Sequence, residues 1–108
     1  MRTLLRFTVP VATGNERILD GTLGKVVDQL IADLKPEAAY FYSQRGERAG
    51  SMVFDMKDTS QIPVIAEPLF LNFNDNVEFI PVMNAADLKK AFKGMDSTLK
   101  RYGAAAGR

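Results

Sequence analysis

The chain contains no cysteine, no histidine and no tryptophan. Without cysteine it cannot form disulfides, thiolate metal sites or a thiol nucleophile. Without histidine it lacks the commonest general base near neutral pH and a frequent ligand of haem and transition metals. These absences predict a protein that uses no metal and no other cofactor.

An excess of charge of one sign is also lacking, because 14 basic side chains face 13 acidic ones, for a net charge of +1. This balance provides no broad field for nucleic acid or an anionic membrane. The first seven residues alternate and carry charge where a signal peptide needs an apolar run, and no segment is long enough to span a bilayer. We therefore expect a cytoplasmic protein without a nucleic-acid or membrane partner.

The composition is that of a small globular domain, with 46% apolar and 25% charged residues in a chain of 108. A chain this short has little room for a second core. We expect one domain over residues 1–103 and a flexible C-terminal tail over residues 104–108, because the tail has nothing to bury.

Four segments have the alternation or the β-branched and aromatic content of strands. They are Thr3–Pro10, Ala38–Gln44, Ser51–Lys57 and Val77–Met83. The polar residues 45–50 are predicted to form a hairpin loop between the two middle strands. Pro81 favours a sheet edge for the last strand, because proline cannot donate to a ladder.

Three helices are predicted between and after these strands. The first is best defined over Thr22–Leu34, with a turn or a cap at Gly14-Asn15 and a late start or a break near Gly21. The second follows the capping residues 58–60, and we expect Pro68 to kink or divide it. The third begins at Asn84, and its apolar stripe is expected to dock on the domain. That stripe consists of Leu88, Phe92, Met95, Leu99 and Tyr102.

The order βαββαβ predicts an α+β, ferredoxin-like fold, with a four-stranded antiparallel sheet covered by helices on one face and an additional C-terminal helix. Alternation places one set of strand residues towards the helices: Leu5, Phe7, Phe41, Met52, Phe54, Met56, Val77 and Phe79. The opposite face would carry Leu4, Tyr40, Tyr42, Val53, Ile80 and Val82. Because an apolar face of this kind usually marks an interface, we predict a homodimer in which two sheets pack together.

Four sequence segments carry a family resemblance. They are residues 35–41 (Lys-Pro-Glu-Ala-Ala-Tyr-Phe), 53–56 (Val-Phe-Asp-Met), 66–70 (Ala-Glu-Pro-Leu-Phe) and 81–84 (Pro-Val-Met-Asn) followed by Asp87-Leu88. Over most of its length the chain resembles an uncharacterised bacterial family of the dimeric α/β-barrel superfamily. The resemblance implies a dimeric barrel; the superfamily includes cofactor-independent monooxygenases, lactone isomerases and haem-binding enzymes, so it implies no particular reaction.

Polar side chains near strand centres are the first candidates for a ligand site. Arg6, Asp55 and Glu78 are predicted to gather on the second face, where they would either orient an acidic ligand or form a salt-bridge set that sets the dimer register. Tyr40 and Tyr42 share that face, and their hydroxyls suit an oxygenated aromatic ligand, although tyrosine also fills interfaces.

Glu67 and Asn72 in the second helix are candidates for the mouth of a pocket between helix and sheet, or are simply polar surface residues. The charges of the hairpin, Arg45, Glu47 and Arg48, are interpreted as solvated loop residues. No residue is singled out as catalytic.

Two functional hypotheses follow. One is a small-molecule binder or enzyme that takes an oxygenated apolar or aromatic molecule between sheet and helices, and the other is a non-catalytic dimeric structural or protein-interaction module. An RNA-recognition domain has the same element order, but its third strand carries aromatics framed by glycine and a basic residue. Residues 50–55 offer one phenylalanine and an acid there, which argues against RNA.

Overall fold

A computed structural model describes residues 1–103, so the predicted tail at 104–108 lies outside the described residues. These 103 residues form four strands and four helices, an α+β architecture. In chain order they are β1 (Arg2–Val9), α1 (Val11–Leu19), α2 (Thr22–Leu34), β2 (Ala38–Gln44), β3 (Glu47–Asp55), α3 (Gln61–Phe73), β4 (Asn76–Pro81) and α4 (Ala85–Thr98), which continues into a π-helical turn (Leu99–Gly103).

The strands form one antiparallel sheet in the order β2-β3-β1-β4, consistent with a ferredoxin-like fold. In the centre of the sheet, Leu5 lies opposite Met52 of β3 and Phe79 of β4. The edge position of β4 confirms the prediction from Pro81, which closes the strand where a missing donor costs no ladder bond.

The helices cover one face of the sheet and create the core there. Alternation is confirmed for β1, which alternates strictly between buried and half-buried residues, whereas β2 contains no buried residue and Phe41, predicted to meet the helices, is 54% exposed. Leu30 of α2 and the α3 residues Ile65, Leu69 and Phe73 pack against the inward strand residues. The buried strand residues of this cluster are Leu5, Phe7, Val9, Met52 and Phe54. We call the other side of the sheet the open face.

The first helical region differs from the prediction at one end and agrees at the other. The chain is helical through Gly14 and Asn15, and the helix is preceded by Pro10, so the turn or cap predicted at Gly14-Asn15 is wrong. Glycine is required at position 14 by the close approach of Arg48, because a Cβ there would lie 2.6 Å from the Arg48 guanidinium. The predicted break near Gly21 is confirmed, because this residue has a φ of 81° and separates α1 from α2.

The hairpin is much tighter than the predicted loop over residues 45–50. Arg45 and Gly46 both have positive φ, 51° and 78°, as a two-residue primed turn requires. Gln44 therefore pairs with Glu47, and β3 begins at that residue. A two-residue turn matches the twist of the two strands, which the polar character of the segment did not indicate.

Of the two outcomes expected at Pro68, a kink or a division of the helix, division does not occur, because α3 runs through this residue. Because proline has no N–H, the helix lacks one backbone hydrogen bond, the one that residue 68 would donate to the carbonyl of Val64. Val64 is 73% exposed, so water can reach that end of the turn. Burial of the opposite side of α3 outweighs the lost bond.

The C-terminal helix does not dock on the domain, contrary to the prediction. Asn84 caps α4 as predicted, with its side chain accepting from the Asp87 amide, but none of the α4 residues is buried. The helix follows an edge strand, and an ion pair of 3.2 Å between Arg2 and Asp87 holds its first turn at the end of the sheet. Within residues 1–103, no helix is long and apolar enough to cross a membrane.

Candidate functional site

A pocket of about 360 Å³ lies between the sheet and the first two helices. Its wall is almost entirely apolar, and two charged side chains, Asp28 and Arg48, reach it. The apolar and small lining residues are Phe7, Val9, Ile18, Leu23, Gly24, Val27, Phe41 and Ala49. A concave apolar site of this size with a few polar groups is typical of small-molecule sites.

The floor of this pocket depends on a glycine in β3. Phe7 of β1 and Phe41 of β2 lie on either side of Gly50 on the helix-facing side of the sheet. A Cβ at Gly50 would come within 2.5 Å of the Phe7 ring and 3.2 Å of the Phe41 ring. The absence of a side chain therefore allows both rings to lie against the strand and form an aromatic floor.

Arg48 brings a positive charge to the polar end of the pocket. Its guanidinium donates to the Asn15 side-chain oxygen over 3.1 Å and passes beside Gly14. Within the described residues it has no carboxylate partner at 4.0 Å or less, and the pocket's own Asp28 is not paired with it. Arg48 as a whole is half-buried, and its guanidinium, whose bond to Asn15 is exposed, retains donors that can bind an anionic oxygen.

The predicted three-membered charge cluster does not form. Arg6 and Glu78 are cross-strand neighbours on the open face, but Asp55 pairs in register with Arg2, four positions further along the sheet. At about 3.3 Å per residue this separation is about 13 Å. The Arg6 guanidinium instead donates to the Gln44 side chain over 3.1 Å.

Asp55 belongs to an ionic group at the end of the sheet. Its carboxylate accepts from the Lys57 ammonium and, over 2.7 Å, from the amino terminus of Met1. These two cations, with Lys57 contributing most, lower the pKa of Asp55 to about 2. This carboxylate is thus tied to structural contacts at the chain terminus.

A second, polar recess of about 420 Å³ lies at the hairpin end of the sheet. It is lined by Thr8, Gln44, Arg45, Glu47, Asn76, Val77 and Glu78, and Arg6 borders a smaller hollow beside it. Two of the predicted site residues, Arg6 and Glu78, are therefore brought together here. The recess lies at the open face, where a second copy would meet it if the sheets pack together.

The predicted tyrosines also lie on the open face, with Tyr40 opposite Ser51 and Tyr42 opposite Ala49. The Tyr42 hydroxyl contacts the Ser51 hydroxyl at 2.5 Å. Tyr42 borders the apolar pocket as well, although its hydroxyl is on the other side of the sheet. Tyr40 is 68% exposed and Tyr42 is 40% exposed, so neither ring is enclosed in a site.

The two candidates from α3 are apart from these hollows. Glu67 is exposed, and the side-chain amide of Asn72 donates to the Pro68 carbonyl over 2.6 Å. Neither residue lines the apolar pocket or the polar recess. Both residues lie on the surface of α3.

One acid is buried without partners. Asp75 follows α3, is 7% exposed, and neither carboxylate oxygen has a hydrogen-bond partner among the described residues. Burial raises its pKa to about 7. It lines neither hollow, and residues 1–103 contain no group of three metal-ligating side chains.

Sequence reasoning missed the groups that line the apolar pocket, above all Arg48, which was interpreted as a loop charge. The signal was present in the alternation of β3: Gly50, Met52 and Phe54 face the helices, and the same period places Arg48 with them. Because residues 45–50 were predicted to be a loop, the alternation was not extended back from Gly50 to Arg48.

No protein-family model matches the chain, and no curated protein matches it significantly. Membership of the dimeric α/β-barrel superfamily therefore stays a prediction from the sequence segments quoted above.

Proposed function

We propose that this protein binds a small apolar or aromatic molecule that carries an acidic oxygen group, in the pocket between the sheet and helices α1 and α2. The observation that carries the proposal is an apolar cavity of about 360 Å³ with the Arg48 guanidinium at its polar end. The aromatic floor of Phe7 and Phe41 suits a planar ring, and the guanidinium suits a carboxylate.

The charge arrangement favours an acid over a neutral ligand. Asn15 is the neutral side-chain acceptor that Arg48 uses in this structure. A ligand carboxylate adds a charge-assisted bond, which is about twice as strong as a neutral one. Asp28 lies in the same lining, so a second acidic group on the ligand is disfavoured and a hydroxyl is acceptable.

The test is a titration of the ¹⁵N-labelled protein with 1-naphthoate, followed by NMR. Shifts are expected at Leu23, Val27 and Phe41. Arg48→Met is expected to weaken binding about tenfold, because it removes one charge-assisted hydrogen bond. Arg45→Met is the matched control, since Arg45 lies in the hairpin turn outside the pocket, and its affinity should equal that of the unmodified protein.

A second pair of variants tests the cavity itself. Leu23→Trp should fill the pocket and abolish the naphthoate shifts, whereas Leu71→Trp places the same side chain at a position that is 80% exposed on α3. Binding that survives Leu23→Trp, or that is equally weak in both arginine variants, would place the ligand elsewhere and refute the proposal.

We also propose that two copies pack through their open sheet faces, as a dimeric α/β barrel requires. Support comes from the open face itself, on which Leu4, Val53 and Ile80 are apolar and half-buried while Tyr40 is 68% exposed. These three residues form one row across β3, β1 and β4, between a row with Arg6 and Glu78 and a row with Arg2 and Asp55. An apolar centre with a polar rim is a common arrangement in interfaces. If the pocket binds no ligand, the sheet contact would favour the second hypothesis, in which the protein is a non-catalytic dimeric module.

Sedimentation velocity at micromolar concentration tests the sheet contact. Val53→Glu should weaken self-association relative to the unmodified protein, because it places a charge in the proposed sheet interface. Val64→Glu makes the same change at an exposed position of α3 and should leave the dimer intact. A monomeric unmodified protein at micromolar concentration would contradict the proposal.

A further inference from the structure

The helix α4 and the π-helical turn after it form an arm that leaves the body of the molecule. No residue of either segment is buried. The molecule measures 60 × 28 × 22 Å and has a radius of gyration of 18.3 Å, against about 13 Å for a compact chain of this length. The arm, residues 85–103, is therefore not part of its own domain's core.

The arm begins as a well-formed helix rather than as a frayed end. Asn84 and Asp87 make a reciprocal capping box, in which each side chain accepts from the other's backbone amide. Arg2 links Asp87 to Glu37 through ion pairs of 3.2 and 2.7 Å. The sheet thus presents the arm in a defined direction.

The exposed apolar residues of the arm follow the spacing of a helix–helix seam. Leu88, Phe92, Met95 and Leu99 are separated by 4, 3 and 4 residues, Ala85 extends the pattern by one further step of 3, and Tyr102 follows in the π-helical turn. These five large side chains are between 38% and 60% exposed. Strict alternation of 3 and 4 produces a narrow stripe that fits one neighbouring helix.

We propose that this arm pairs with the arm of a second copy of the chain, in antiparallel orientation about a two-fold axis. The seam is symmetric about the point between Lys93 and Gly94. Antiparallel pairing therefore places Leu88 opposite Leu99 of the second copy, and Phe92 opposite Met95 of the second copy. Each seam residue finds a seam partner, and the contact closes on itself.

Charge complementarity selects the antiparallel orientation. The arm carries five basic and two acidic side chains, so two arms repel unless opposite charges meet. Lys89 and Asp96 occupy the same flanking position, one seven-residue repeat apart. In the antiparallel register, Lys89 lies within about 3 Å along the axis of Asp96 of the second copy. This produces two symmetric ion pairs, which a parallel in-register pair lacks.

The absence of cysteine allows a direct test in the full chain. Leu88→Cys and Leu99→Cys are prepared separately, mixed at micromolar concentration and oxidised. The mixture should yield a disulfide-linked species of twice the chain mass. Each variant alone should yield none, because identical positions lie about 16 Å apart along the axis of an antiparallel pair.

Two controls separate pairing from random collision. Lys90→Cys mixed with Leu99→Cys should give no product, because position 90 lies on the side of the helix away from the seam. Phe92→Lys introduced into both cysteine variants should abolish the product. Ser97→Lys adds the same charge on the outer side of the arm and should leave the yield unchanged.

Three results would overturn the proposal. A mixture that fails to crosslink excludes the arm pair, product from Leu88→Cys alone indicates a parallel pair, and product that survives Phe92→Lys shows that the seam is not the contact. The test does not depend on the pocket or on the sheet interface, since it reads the distance between two arms.

Discussion

The two sides of strand β1 differ in how completely the chain covers them. Leu5 is fully buried beneath the helices, whereas its neighbour Leu4 is only half-buried on the open face. The arm is a more extreme case, because its apolar stripe contacts no core at all. The difference shows that the folded chain buries the apolar residues of the helix-facing side of the sheet only. Its other apolar residues, on the open face and the arm, keep part of their surface accessible.

The largest expected effect compares these two leucines directly. Leu5→Ala should lower the free energy of unfolding by about 4 kcal/mol, because it leaves a cavity in a closed core. Leu4→Ala should cost about 1 kcal/mol or less at concentrations where the protein is monomeric. Urea unfolding followed by circular dichroism measures both, and equal losses would show that the open face is covered within one copy.

Among the described residues, Thr3 and Asp75 are the buried residues with polar side chains, and Asp75 is the one that ionises. Its pKa of about 7 in the folded state lies above the unfolded value of 3.8. Between these values the folded protein binds more protons, so the free energy of unfolding should fall by about 3 kcal/mol as pH rises from about 4 to 7. Chemical denaturation across that range measures the slope.

The variant Asp75→Asn should remove most of this slope and stabilise the protein above pH 7. Asp55 acts in the opposite direction, because its pKa of about 2 makes its contribution disappear only as pH falls below 3.8. If the free energy of unfolding still falls between pH 4 and 7 in Asp75→Asn, a group other than Asp75 is responsible.

A glycine in each region provides the next comparison. Gly50→Ala places a methyl group 2.5 Å from the Phe7 ring and should destabilise the fold by about 2 kcal/mol. Gly94→Ala, on the arm, has no neighbour within 4 Å and should favour helix in the arm without changing unfolding of the body. Thermal unfolding distinguishes the two, and a loss at Gly94 would indicate packing against the body.

The smallest expected effect concerns the start of the arm. Asn84→Ala removes the capping side chain and should weaken α4 by about 1 kcal/mol. Hydrogen exchange should become faster at the α4 amides and stay unchanged at the β1 amides. Faster exchange in β1 would show that the arm and the body unfold together.

The candidate site was less predictable from sequence than the sheet. The alternation of β1 places Leu5 inward and Leu4 outward, and the structure confirms both. The predicted loop at residues 45–50 assigned Arg48 to solvent, while a two-residue turn extends β3 and places it at the pocket. The turn is short because Arg45 and Gly46 both adopt positive φ, and the polarity of the side chains in this segment does not predict that backbone conformation.

The sequence by itself determined the order of the four strands, the buried faces of β1 and β3 and the cap at Asn84, because these depend on periodicity and on neighbouring residues. Only the tertiary structure decided that Asp55 lies about 13 Å along the sheet from Arg6, that Asp75 is buried, and that the arm leaves the body. These features depend on register and on the directions of whole elements, which arise from contacts between residues far apart in the chain.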